Sequence, residues 1–163
     1  MKLDPVFTVK NNKLYKIADD SQVEVSSLKR VDIPWSTIEL SPESYNEEYL
    51  ANLREELKPL DETGSFVYLA PKVDKALNTP EDIELYVNAF NHCARRIKDC
   101  QCVAGIELPA EVLSKGTTED SAMIWFMETL AKKHGQYVYF AAEEAVKNLN
   151  LADKLQNLAI VIY

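Results

Sequence analysis

Glycine is scarce in this sequence: four residues in 163, none close to another. That scarcity excludes the glycine-rich loops of dinucleotide and P-loop nucleotide sites, so no nucleotide cofactor is expected. Histidine is scarcer still. His92 and His134 are the two present, and neither has a serine or cysteine partner placed to make a catalytic triad. Cysteine is limited to Cys93, Cys100 and Cys102, an odd number with no CxxC spacing. Free thiols in a reducing cytoplasm are the expectation, with no metal site, because a fourth ligand is lacking. No apolar run approaches the roughly 18 residues of a membrane span. The first residues show no apolar signal core. Basic charge is also short: 18 Lys+Arg against 26 Asp+Glu, a net charge of −8. Nucleic acid and anionic membrane surfaces both call for clustered cations and are not expected partners.

What is present reads as a globular chain. Apolar residues make up 47% of the sequence, enough for a sizeable core. The length suits one α/β domain over residues 1–163, with a β-hairpin region at 1–30 and β/α repeats over 31–163. In the first region, segments 6–10 and 23–25 alternate apolar and polar residues. Asn11-Asn12 and Asp19-Asp20-Ser21 supply turn chemistry between them.

From residue 31 a β/α rhythm sets in. The pattern predicts strands at 33–40, 66–70, 102–108, 137–141 and 158–163. Between them it predicts a helix capped by Ser44 and limited by Pro59, and a helix opened by Thr79-Pro80-Glu81-Asp82. A third helix opens at Thr117 or Thr118 and closes at Gly135, and a short helical stretch covers 146–155. Alternating strands and helices imply a parallel sheet with right-handed crossovers, and functional loops beyond the carboxyl ends of the strands. Two architectures fit: a partial TIM-barrel-like sheet of about four or five strands, or an open flavodoxin-like sheet. Strand order separates them. At 163 residues the chain is expected to fall short of a full (βα)8 barrel, which takes about 200 or more.

Three stretches carry a resemblance. The first is Ile33-Pro34-Trp35-Ser36 followed by Tyr45-Asn46-Glu47-Glu48-Tyr49-Leu50. The second is Gly64-Ser65-Phe66-Val67-Tyr68-Leu69-Ala70-Pro71. The third is Ala94-Arg95-Arg96-Ile97-Lys98-Asp99, then Val103-Ala104-Gly105-Ile106-Glu107-Leu108-Pro109-Ala110-Glu111-Val112. In order and spacing they resemble the cellulase-type retaining glycoside hydrolases, whose fold is a (βα)8 barrel. The corresponding family patterns are "IP-x-W", a strand ending in histidine, and "V-x-G-x-E-L-x-N-E-P". The resemblance covers roughly residues 28–112. It implies that Glu111 stands where the family places its general acid/base, with Glu107 on the strand before it. The departures matter as much. Ala110 replaces the asparagine before the acid/base, Val112 replaces the proline after it, and no histidine ends the second strand near Ala70-Pro71. Asp32 replaces the usual basic residue. The family's nucleophile belongs to a later strand than those read here.

Carboxylates gather at the expected strand ends: Glu39, Asp74, Glu107, Glu111, Glu143 and Glu144. They read either as an acidic cleft for a sugar or a cation, or as a solvated rim in an acidic protein. Trp35 reads either as a sugar-stacking platform or as a packing residue. The segment from Asp120-Ser121 onward is similar to STAS regulatory domains, with Val146-Lys147-Asn148-Leu149 and Leu151-Ala152-Asp153-Lys154-Leu155 as their closing helices. That similarity implies Ser121 as a phosphoacceptor exposed at a helix start. Three functions therefore stand side by side. The first is a non-catalytic glycoside-hydrolase-like binding or interaction module, for a carbohydrate or a protein. The second is a glycosidase using Glu111 with another rim carboxylate, Glu143 or one from a partner chain, and the third is a regulatory domain. An open strand edge adds the expectation of self-association as a homodimer.

Overall fold

The structure is a computed structural model, and it describes residues 2–163. The chain opens with an antiparallel meander, β1 (Phe7–Lys10), β2 (Lys13–Lys16) and β3 (Gln22–Val23). Asn11 and Asn12, at φ 51° and 59°, make the tight β1–β2 turn. Asparagine tolerates this left-handed region better than other non-glycine residues.

After a 3-10 turn, β4 (Lys29–Pro34) begins the main sheet. It is followed by the single helical turn α1 (Trp35–Ile38), a hairpin of β5 (Glu39–Ser41) and β6 (Ser44–Tyr45), and the long α2 (Glu47–Thr63). Next come β7 (Val67–Lys72), α3 (Pro80–Arg96), β8 (Val103–Glu107), α4 (Ala110–Leu113) and α5 (Ala122–Ala131). The chain closes with β9 (Val138–Ala141), α6 (Glu143–Asn148), α7 (Ala152–Leu155) and β10 (Ile160–Ile162).

The main sheet has five strands in the order β10-β9-β8-β7-β4. Every neighbouring pair is parallel. Each strand therefore lies beside the previous one without reversal. That is the order of a barrel wall, and it decides between the two architectures the sequence left open. A doubly wound sheet would reverse at a switch point.

Several boundaries differ from the sequence expectation, each for a local reason. The strand expected at 33–40 ends at Pro34, and Trp35–Ile38 turns into a helix. The cap of α2 is Asn46, whose side chain accepts from the Tyr49 amide, and Ser44 is instead a hairpin residue. Pro59 sits inside α2 rather than ending it. The carbonyl of Glu55 that it leaves without a donor lies on an exposed stretch, where water can serve it. Helix α5 starts after Ser121, not at Thr117 or Thr118, and its C-cap is Lys132 rather than Gly135. The stretch 146–155 is two helices, because Asn150 breaks it at φ 57°. The start of α3 is as expected: Thr79 and Asp82 form a capping box with Pro80 in the first turn.

The two faces of the sheet carry separate cores. On one face Ile33, Val67, Leu69, Val103, Ile106, Tyr139 and Ile160 meet the helices through Trp35, Tyr86, Phe90 and Phe126. On the concave face Tyr68, Ala104, Val138, Phe140 and Val161 meet Phe7, Leu14, Val25 and Leu28 of the N-terminal region. The alternation of strand side chains assigns neighbours in sequence to opposite cores. The three cysteines are free and buried. Burial pushes the thiols of Cys93 and Cys102 up to about 12 and that of Cys100 to about 11. Among the described residues no helix is long and apolar enough to cross a membrane.

Candidate functional site

The carboxyl ends of parallel strands are where backbone and loops leave side chains free to converge. Here an open cleft of about 600 Å³ lies there, walled by Pro71–Asp74 at the end of β7, Glu107–Glu111 at the end of β8, and Ala142, Glu144, Ala145 and Asn148 after β9. Arg30 of β4 also forms part of its wall.

Local backbone geometry in β8 positions the most buried of these groups. Pairing of β7 with β8 shifts register at Val67/Tyr68, so that Ala104 and Gly105 fall beside one partner residue. A bulge of this kind re-aims the side chains after it. Gly105 also lies so close to β9 that a Cβ would sit 1.7 Å from the Val138 carbonyl oxygen. Only glycine fits. Glu107, two residues on, pairs in register with Phe140 and so points to the concave face.

Glu107 is 5% exposed and engaged through one carboxylate oxygen, Oε1. Arg30 Nη1 donates to its Oε1 at 3.2 Å, and the Tyr163 hydroxyl donates to the same oxygen. Arg30 Nη1 also donates to the Tyr163 hydroxyl oxygen at 3.1 Å, and Arg30 Nε to Asp32 Oδ1 at 2.9 Å. Burial and the bond to Glu107 push the Tyr163 phenol well above the ordinary tyrosine value. The cluster is thus an ion pair braced by a neutral phenol, seated on the aromatic rings of Tyr68 and Phe140.

The other sequence candidates divide. Glu111, in the first turn of α4, lines the cleft and is exposed. Glu144 lines the opposite wall and is exposed as well. Asp74 lines the cleft, but its carboxylate accepts from the Ser36 amide at 2.9 Å and from the Ser36 hydroxyl, so it ties α1 down. Glu143 does not line the cleft and pairs with Lys147 at 3.4 Å.

Trp35 and Glu39 do not reach the cleft. Each is 1% exposed. The Trp35 indole donates to Glu39 Oε1 at 2.9 Å and packs edge-on against Tyr86, with Lys75 over its ring. Lys75 Nζ and the Glu43 amide also donate to the Glu39 carboxylate. A stacking platform needs a free ring face, and this one is covered. Ser121 is 5% exposed, and its hydroxyl accepts from the Ile124 amide as the cap of α5. The exposure that a phosphoacceptor requires is missing.

Arg30 and Tyr163 are the residues of the candidate site that sequence reading missed. For Arg30 the available signal was the alternation of Arg30 and Asp32 on one face of a strand placed at 29–34 rather than 33–40. Tyr163 had no local signal. Among the described residues, no group of three or more His, Cys, Asp or Glu is arranged to hold a metal ion.

No protein-family model matches the chain, and no curated protein matches its sequence significantly. Among solved structures it is similar to endo-glycoceramidase II from Rhodococcus sp., with a TM-score of 0.52 and 14% identity over 88% of this chain and 48% of that one. The same enzyme matches with the same score and identity as a complex with a cellobiose-like imidazole, over 49% of its length, and as a lactosyl-enzyme intermediate, over 50%. These neighbours are glycoside hydrolases of the TIM-barrel type. The chain spans about half the length of the structures it matches. At this identity the likeness is one of fold, and it agrees with the sequential strand order and with the family that the motifs resemble.

Proposed function

We propose that the chain is a glycoside-hydrolase-like domain that binds a carbohydrate in the cleft beyond β7, β8 and β9 without hydrolysing it. The observation that carries this reading is the state of the buried carboxylate. Glu107 is held by Arg30 and Tyr163, while Glu111 stands between Ala110 and Val112 in place of the asparagine and proline of the resembling motif. A carboxylate clamped by two donors orients a ligand well and attacks or takes a proton poorly. The fold likeness supports the ligand class, because two of the similar structures carry a cellobiose-like and a lactosyl group.

Calorimetric titration with cellobiose and lactose, beside an assay of aryl glycoside hydrolysis, tests the reading. Saturable binding without turnover is the expected result. Robust hydrolysis that Glu111→Gln abolishes would overturn it in favour of an enzyme. In that second reading Glu144 is the partner carboxylate, since it lines the same cleft and among the described residues forms no ion pair. It requires the two carboxyl groups about 5–5.5 Å apart for retention or about 6.5–9.5 Å for inversion.

A further inference from the structure

The two edges of the five-stranded sheet are finished differently. At the β10 edge the Asn11-Asn12 tip of the meander folds over the strand. The Ile162 amide donates to the Asn12 carbonyl at 3.0 Å. The Asn12 side-chain amide donates to the carbonyls of Leu155 at 3.0 Å and Ile160 at 2.7 Å. That edge is closed.

The β4 edge is not. Among the described residues no strand pairs with its outer side, and its lower end opens onto a cleft of about 750 Å³. The Lys29 amide donates to the Phe66 carbonyl, so the backbone groups of Lys29, Val31 and Ile33 face β7. By alternation those of Arg30 and Asp32 face outward. The side chains of Arg30 and Asp32 are half-exposed on the concave face, and Val31 packs toward the helices.

We propose that the β4 edge is a self-association surface on which a second copy of this chain pairs antiparallel about Val31. Its sequence, Lys29-Arg30-Val31-Asp32-Ile33, is self-complementary in that one register. Arg30 comes opposite Asp32 of the partner subunit, and Asp32 opposite Arg30 of the partner subunit, on the same face. Each of these pairs presents outward backbone groups and exchanges both ladder hydrogen bonds. Opposite charges placed directly across an antiparallel pair are stabilising, and like charges destabilising. A parallel partner in register would instead set Arg30 against arginine and Asp32 against aspartate. A shift by one residue would turn the charges onto the helix face. Charge and a terminal proline ordinarily blunt an edge. Here Pro34 lies beyond the paired residues, and the two charges become the register key. Two copies then share one continuous ten-strand sheet, and the dimer axis runs beside Arg30, which is itself part of the cleft wall.

Three variants test this by sedimentation of the full chain. The wild type sediments as a dimer at high concentration. Asp32→Pro removes an outward donor without touching the β7 ladder, and is monomeric with an unchanged circular dichroism spectrum. Asp32→Arg leaves the backbone intact, sets like charges opposite one another, and weakens dimerisation about tenfold or more at low salt. Val31 meets Val31 of the partner subunit in a pair without hydrogen bonds, where Cα atoms lie about 4.5 Å apart. That spacing is within disulfide reach, so oxidised Val31→Cys runs as a cross-linked dimer on a non-reducing gel. The wild type gives no such band, because its own cysteines are buried. A wild type that stays monomeric at high concentration overturns the proposal. So does an Asp32→Arg variant that dimerises as well as the wild type, or a Val31→Cys variant that does not cross-link.

Discussion

The helix-covered face and the concave face of the sheet are made by the same strands, residue by residue in alternation, yet they end differently. The buried residues of the helix face are apolar, and Tyr86, Phe90, Phe126 and Trp35 form one continuous aromatic cluster. The concave face is apolar only at its floor, where Phe7, Leu14, Val25 and Leu28 pack on it. Toward the strand ends it turns into Glu107 and Tyr163, which Arg30 reaches from near the start of β4. Helices cover most of one face, and the strand residues buried there are apolar, with Lys29 left exposed at the open start of β4. The meander covers only the floor of the other, and charged groups gather where the cover stops. The candidate site is the consequence of that incomplete cover.

The largest expected effect comes from the residue that both faces depend on. Gly105→Ala drives a methyl group into the β9 backbone, and loss of the cooperative thermal transition is the expected outcome, followed by circular dichroism. The cost exceeds the roughly 4–5 kcal/mol that marks exceptional substitutions. Next come Phe126→Ala and Phe140→Ala, one buried ring from each face, both fully buried. Each is expected to lower the unfolding free energy by about 3–5 kcal/mol in urea titration. A cost under about 1 kcal/mol at Phe140 would show that the meander does not seal the concave floor.

A smaller loss, about 1–2 kcal/mol, is expected for Asn12→Ala. That variant frees the carbonyls of Leu155 and Ile160 and places alanine at a left-handed position.

Alkaline pH acts on both faces, since burial also raises Tyr86, Tyr137 and Tyr139 on the helix side, so the Tyr163 contribution is read by substitution. Tyr163 on the concave face has a raised value in the fold, so its contribution is complete below the ordinary tyrosine value of about 10 and is lost as pH rises above it. Urea midpoints measured from about pH 9 to 11 should fall less steeply in Tyr163→Phe than in the wild type.

The smallest effect belongs to His134, 3% exposed at the end of the α5 segment. Burial, with Arg95, Lys98, Lys133 and Lys2 nearby, holds it below the ordinary histidine value. Its contribution is present above about 6.5 and is lost as pH falls from there toward the lowered value. Unfolding midpoints of His134→Gln should be flatter over that interval than those of the wild type.

Much of this fold was legible in the sequence because it rests on local chemistry. The capping box at Thr79 and Asp82, the turn at Asn11-Asn12, and the apolar run around Val67–Ala70 each act within a few residues. Glu111 and Glu144 were legible as rim carboxylates because strand ends are marked by loops. What failed was wherever distant partners decide. Trp35 at a strand end reads equally as a platform or as core, until Tyr86 and Lys75, far along the chain, cover it. Ser121 reads as a phosphoacceptor at a helix start until burial makes it the cap of α5.

The sequence by itself determined the alternation of parallel strands and helices, the scarcity of glycine and cationic clusters, and the motif similarity to the glycoside hydrolases. These follow from periodicity and residue chemistry, which are properties of short segments. Tertiary structure alone decided that the strands run in sequential order, that Arg30 and Tyr163 close on Glu107, and that one sheet edge is capped by Asn12 while the other stays open. Each of these joins residues tens of positions apart. Their encounter depends on sheet pairing and on which surface the meander covers, and no short segment encodes either.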